Sequence, residues 1–119
     1  EPIDLAIRNT RVLARAAIRA IELDEHVPPI VVDSIRDLAA AVRLLDRHLA
    51  GGPGRSAARQ AALRAAARAS AALDMTSNMS VSVIVGHVRS TATDLLLGLG
   101  GNPEEAVDEV RSARESLGI

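Results

Sequence analysis

Apolar positions recur along this chain at helical spacing, in stripes broken by short runs rich in Pro, Gly and Asn. In residues 3–21, apolar or small side chains fall at Ile3, Ile7, Ala14, Ile18 and Ile21, the spacing of a helix with one buried face. The run Asp24-Glu25-His26-Val27-Pro28-Pro29 ends it, because each proline disfavours helical geometry in the preceding residue and lacks an amide donor. A second helix is predicted over 29–50. Its apolar residues Val31, Ile35, Leu38, Val42, Leu45 and Leu49 alternate steps of four and three, a heptad-like seam.

Gly51-Gly52-Pro53-Gly54 is the clearest reversal in the chain, so the helices on either side are expected to be antiparallel neighbours. The third helix, from residue 55 or 56 to about 73, is nearly all Ala with Leu63, Leu73 and scattered Arg. Propensity supports it more than periodicity does. Val81-Ser82-Val83-Ile84-Val85 is β-branched and alternating, which also reads as a strand. The longer stripe of Val81, Ile84, Val85, Val88, Ala92, Leu95 and Leu99 outruns any ordinary strand and predicts a fourth helix, capped at Asn78 or Ser77 and closed by Gly100-Gly101. Asn102-Pro103-Glu104-Glu105 then opens a fifth with a cap residue, proline at the first position and acids in the first turn.

The expected fold is therefore all-α: an antiparallel helical bundle of four long helices plus a shorter C-terminal helix. At 119 residues it is read as one soluble domain spanning 1–119. Composition narrows the picture. There is no Phe, Tyr or Trp, so the core must be built from Ala, Val, Leu and Ile. All 14 basic residues are Arg, a bias that fits a GC-rich genome better than a need for guanidinium chemistry. A net charge of −1 and the lack of aromatic stacking platforms argue against nucleic acid as a partner. Without Cys there is no disulfide, thiolate metal site or thiol nucleophile. Residues 79–99 are long enough to span a bilayer, but Arg89 and Asp94 would each cost about 2.5–3.5 kcal/mol near its centre, against about 0.3–0.6 returned per apolar residue. The segment reads instead as the central helix of a bundle. The chain opens on Glu1-Pro2, without an initiator Met or a signal peptide, and is expected to be a piece of a longer protein.

Candidate chemistry is sparse, and neither a catalytic set, a metal site nor a cofactor is expected. His26, His48 and His87 have no second His at ligand spacing. Asp24, Glu25 and His26 read as a solvated helix end, and Asp46 with His48 likewise. The fourth helix carries Gly86, His87, Arg89, Ser90 and Asp94. His87, Ser90 and Asp94 fall on one side, away from the apolar stripe. His87 and Asp94 lie two turns apart, roughly 10 Å, too far for a direct hydrogen bond. The simplest reading is a polar outer face. The sharper one is a small-residue groove for another helix or protomer, formed by Gly86 and Ser90 with Val83 and Leu97, with Arg89 near a small acidic ligand. On the first helix, Arg8, Arg11, Arg15 and Arg19 form a stripe opposite the apolar face. Like charges so spaced repel by about 0.2–0.5 kcal/mol per pair. Pairing with Asp33, Asp37, Asp46, Glu104, Glu105 or Glu109 would relieve this; contact with an anionic surface or a partner is the functional alternative.

Two segments carry a family resemblance: Asp4-Leu5-Ala6-Ile7-Arg8-Asn9-Thr10-Arg11-Val12-Leu13-Ala14-Arg15 and Asn78-Met79-Ser80-Val81-Ser82-Val83-Ile84-Val85-Gly86-His87-Val88-Arg89-Ser90-Thr91. With the Pro-Pro turn and the Ala/Arg-rich helix between them, they resemble the C-terminal cytoplasmic helical region of actinobacterial FUSC-type proteins, the fusaric-acid-resistance or aromatic-acid-exporter family. The resemblance covers most of the chain. It implies an accessory, non-enzymatic domain on the cytoplasmic side of the plasma membrane, within an integral membrane exporter whose transport pathway lies elsewhere. The implied partner is the membrane portion of its own parent chain, with a homo-oligomer as a further arrangement. No site residue carries over from the family. A free-standing interaction or small-ligand-sensing module is the competing expectation.

Overall fold

The computed structural model describes residues 26–119, together with Asp4, Arg8, Arg11 and Arg15. Among these residues the architecture is all-helical and contains no strand, with four continuous helices: α1 (Pro29–Leu49), α2 (Arg55–Ala72), α3 (Met79–Gly98) and α4 (Pro103–Leu117). Apart from its four described residues, the predicted first helix lies outside the described residues.

The helix ends follow local backbone chemistry. Pro29 occupies the first turn of α1, where a missing amide donor costs nothing. Past its C-terminus, the Gly51 amide donates to the His48 carbonyl and the Gly52 amide to the Arg47 carbonyl, closing the last turn. Gly54, at the N-cap of α2, has φ +133, and a Cβ there would lie 3.0 Å from the Leu44 carbonyl oxygen. That close approach folds α2 back along α1 and requires glycine. The Asn78 side chain accepts from the amides of Ser80 and Val81 at the start of α3. Asn102 does the same for Glu104 and Glu105 at the start of α4. The β-branched run at 81–85 lies wholly inside α3.

α2 is the centre of the packing. It touches α1, α3 and α4, whereas α1 and α4 do not touch each other. Its buried residues are all alanines: Ala58, Ala61, Ala62, Ala65, Ala66, Ala67, Ala69, Ala71 and Ala72. At 100° per residue, Ala67 and Ala71 point away from Ala58 and Ala69, so the C-terminal half of α2 is covered on opposite sides. The larger core pieces come from its neighbours, notably Val31, Leu38 and Leu45 of α1, Ile84, Val88 and Leu96 of α3, and Val110 of α4.

The inward face of α1 differs from the predicted seam. Val31, Ser34, Leu38, Ala41 and Leu45 are buried, while Val42 and Leu49 are exposed and Ile35 is half-buried. Ser34 and Ala41 thus take places that apolarity alone assigned to Ile35 and Val42. On this face the small Ser34 and Ala41 alternate with Val31, Leu38 and Leu45, so that α2 can come close at the small residues while the large ones fill the space beside its alanines. The Ser34 hydroxyl is satisfied within its own helix, donating to the Val31 carbonyl at 2.8 Å.

Because every buried residue of α2 is an alanine enclosed by its neighbours, enlarging one of them should be costly. Ala65→Leu, at a fully buried position, is expected to lower unfolding free energy by about 1–3 kcal/mol. Ala57→Leu, on the exposed side, should change it by less than about 0.5 kcal/mol. Urea titration followed by circular dichroism measures both.

Candidate functional site

Two groups of residues stand out in the sequence, and the structure treats them differently. The first lies on α3. Gly86 and Ser90 are exposed and His87, Arg89 and Asp94 are half-buried; all but Arg89, which borders it beside Val85 and Leu96, lie on the side of the helix away from the buried stripe of Val81, Ile84, Val85, Val88 and Ala92. The inner stripe is therefore the predicted one. The hydroxyls nearby serve the helix itself: Thr91 donates to the His87 carbonyl at 2.8 Å and Thr93 to the Arg89 carbonyl at 3.0 Å. Asp94 already takes part in a polar interaction. His87 and Asp94, two turns apart, do not form a proton-transfer pair.

Of the two apolar residues expected beside this groove, Val83 is exposed, but Leu97 is half-buried and packs against the core. The groove is therefore open only along the first part of α3, where Met79, Val83, Gly86 and Ser90 follow one another at helical spacing. Gly86 is not held there by crowding, since a Cβ at this position would meet no atom within 4 Å.

The second group is the arginine stripe. Arg8, Arg11 and Arg15 are helical and exposed, as is Asp4; Arg19 lies outside the described residues. The acids expected to neutralise the stripe do not do so. Asp37, whose side chain is only 14% exposed, is held by Arg68 at 2.6 Å and Arg64 at 3.7 Å. Glu109 pairs with Arg59, and Asp33 with Arg36 on its own helix. Asp46, Glu104 and Glu105 are exposed and make no ion pair among the described residues.

The pairings of Asp37 and Glu109 were not legible in the sequence, because each joins different helices. Arg59, Arg64 and Arg68 tie α2 to α4 and α1. Arg114 of α4 reaches Asp74, just past α2, at 2.5 Å. The Arg55 Nε donates to the Leu99 carbonyl at the end of α3, at 3.2 Å. The arginines of α2, which looked like a by-product of composition, act as cross-links between helices.

The described residues hold no group of three or more His, Asp or Glu gathered as metal ligands. None of the described helices is long and apolar enough to cross a membrane. Comparison with protein-family models, curated proteins and solved structures found no match. Open depressions lie elsewhere on the surface, one of about 460 Å³ beside Arg111, Arg114 and Ile119 and one of about 740 Å³ beside Asp74, Thr76 and Ser82. The second gathers the Asp74 carboxylate with the Thr76 and Ser82 hydroxyls, but Asp74 is engaged by Arg114 and the Ser82 hydroxyl donates to the Asn78 carbonyl.

An uncrowded glycine inside a helix is a net loss of stability unless something outside the chain uses it. Gly86→Ala is expected to raise unfolding free energy by about 0.5–1 kcal/mol. A fall in stability on urea titration would mean that another surface closes on Gly86 in solution.

Proposed function

We propose that this chain is a cytoplasmic accessory domain of a membrane exporter of the fusaric-acid-resistance type. In this reading it is an antiparallel bundle of four long helices plus a shorter C-terminal helix, on the cytoplasmic side of the plasma membrane. It acts through assembly or regulatory contacts with the membrane portion of its own parent chain, and not by catalysis. The observation that carries the reading is how the structure uses one of the two segments with the family resemblance, residues 78–91. Four of its apolar members, Val81, Ile84, Val85 and Val88, are buried in the core. Met79, Val83, Gly86 and Ser90 form an open outer stripe. One motif thus both builds the bundle and leaves a surface for contact.

The distribution of charge supports the same reading. Asp37 and Glu109 are committed to cross-links between helices and are not assembled around a cleft where substrate chemistry could take place. A second reading, a free-standing module that binds a partner helix or a small acid near Arg89, draws on the same open stripe around Gly86.

The reading frame upstream of Glu1 separates the two. Several apolar segments of membrane-spanning length are expected there. A start codon just before Glu1, or an upstream region with no such segment, would contradict the exporter reading and leave the free-standing module in its place.

A further inference from the structure

Arg8, Arg11 and Arg15 are separated by steps of three and four residues, which places them on one face of a helix in a row about 10 Å long. All three are exposed, and among the described residues none is paired with a carboxylate. Asp4, one turn before Arg8, is the one described acid in register with them. The acids that might have neutralised them from other helices are engaged by Arg36, Arg59, Arg64 and Arg68 or stand in solvent. The result is a concentrated positive face on a chain whose net charge is −1. Such a face repels itself unless an anion covers it.

The chemistry of the row selects its occupant. Guanidinium groups bind phosphate and carboxylate oxygens through two parallel hydrogen bonds. Both oxygens are displayed at high density by an anionic lipid headgroup layer, and a straight row on one helix face meets a plane along its whole length. Nucleic acid fits less well, because the chain as a whole is negative and has no aromatic residue on which a base could stack. We propose that the face formed by Arg8, Arg11 and Arg15 docks on the headgroups of an anionic lipid bilayer. The proposal rests on the reading of the chain as a membrane protein's cytoplasmic domain, but its test does not, since the chain alone either binds vesicles or does not.

The test is co-sedimentation of the chain with phosphatidylcholine vesicles, with and without phosphatidylserine, at low and high salt. Binding is expected only with phosphatidylserine and should weaken as salt screens the contact. The triple variant Arg8→Gln, Arg11→Gln, Arg15→Gln should bind on the order of 100-fold more weakly, and the matching triple Lys variant should retain most of the binding. A charge-matched control, Arg36→Gln, Arg43→Gln, Arg111→Gln, alters three exposed arginines elsewhere and should bind as the parent does. Circular dichroism on every variant checks that the helices are intact. Absent binding, equal binding to both vesicle types, or equal loss in the face variant and the control would overturn the proposal. So would binding to polyglutamate without binding to vesicles, which would assign the face to an acidic protein. None of these results bears on the upstream reading frame, so the docking proposal and the exporter reading can fail separately.

Discussion

The packing depends on a helix that has almost no side chains to offer. All nine buried residues of α2 are alanines, and three other helices lie against it. An alanine loses no rotamer freedom on burial and favours the helix more than any other residue. It also lets a neighbouring backbone come close, so the apolar area of the core is supplied from outside, by the Leu, Ile and Val residues of α1, α3 and α4. Such a centre is inexpensive to order but says little about rotation or register, because a smooth cylinder can be gripped in several ways. The arginines of α2 supply what the alanines lack. Arg55 reaches the end of α3, Arg59 reaches α4, and Arg64 with Arg68 brackets Asp37 of α1. These guanidiniums are roughly two-fifths exposed, and solvent-screened pairs of this kind contribute at most about 1 kcal/mol each. Their contribution is to orientation more than to stability.

The same constraint explains what could be read from the sequence and what could not. Helix ends were legible because they are decided within a few residues: the Pro28-Pro29 entry, the Gly51 to Gly54 reversal, and the Asn78 and Asn102 caps all lie where local chemistry puts them. The helical state of the Val81 to Val85 run was legible because the stripe continues to Leu99, far beyond a strand. The choice between the two stripes on α1 was not. By hydrophobicity Val42 outranks Ala41 and Ile35 outranks Ser34, yet the smaller residue of each pair is inside. That outcome is set by which side of α1 is turned toward α2, a matter of tertiary packing and not of local hydrophobicity. The central position of α2 was hidden for a related reason, since a helix of alanines buried on opposite sides has almost no hydrophobic periodicity to detect.

For function, the ledger of charges matters more than any cleft. The carboxylates nearest the helix interfaces are engaged by arginines that cross between helices, which leaves Arg8, Arg11 and Arg15 facing solvent. The open stripe of α3 is a second surface, apolar and small where the first is positive. The candidate residues could be picked out of the sequence as groups, while the partners of the acids could be assigned only from the fold. A sequence shows where charges are; a fold shows which of them are already spent.

The most direct test of the central claim is amide hydrogen exchange, resolved by residue, under native conditions. If α2 is the hub, its amides from Ala61 to Ala72 cannot open without separating all three of its neighbours. They should then exchange more slowly than those of any other helix, with protection equal to the free energy of global unfolding. Exchange of α2 at rates typical of a helix end, with α3 retaining the slowest amides, would contradict the account and move the centre of the structure to α3.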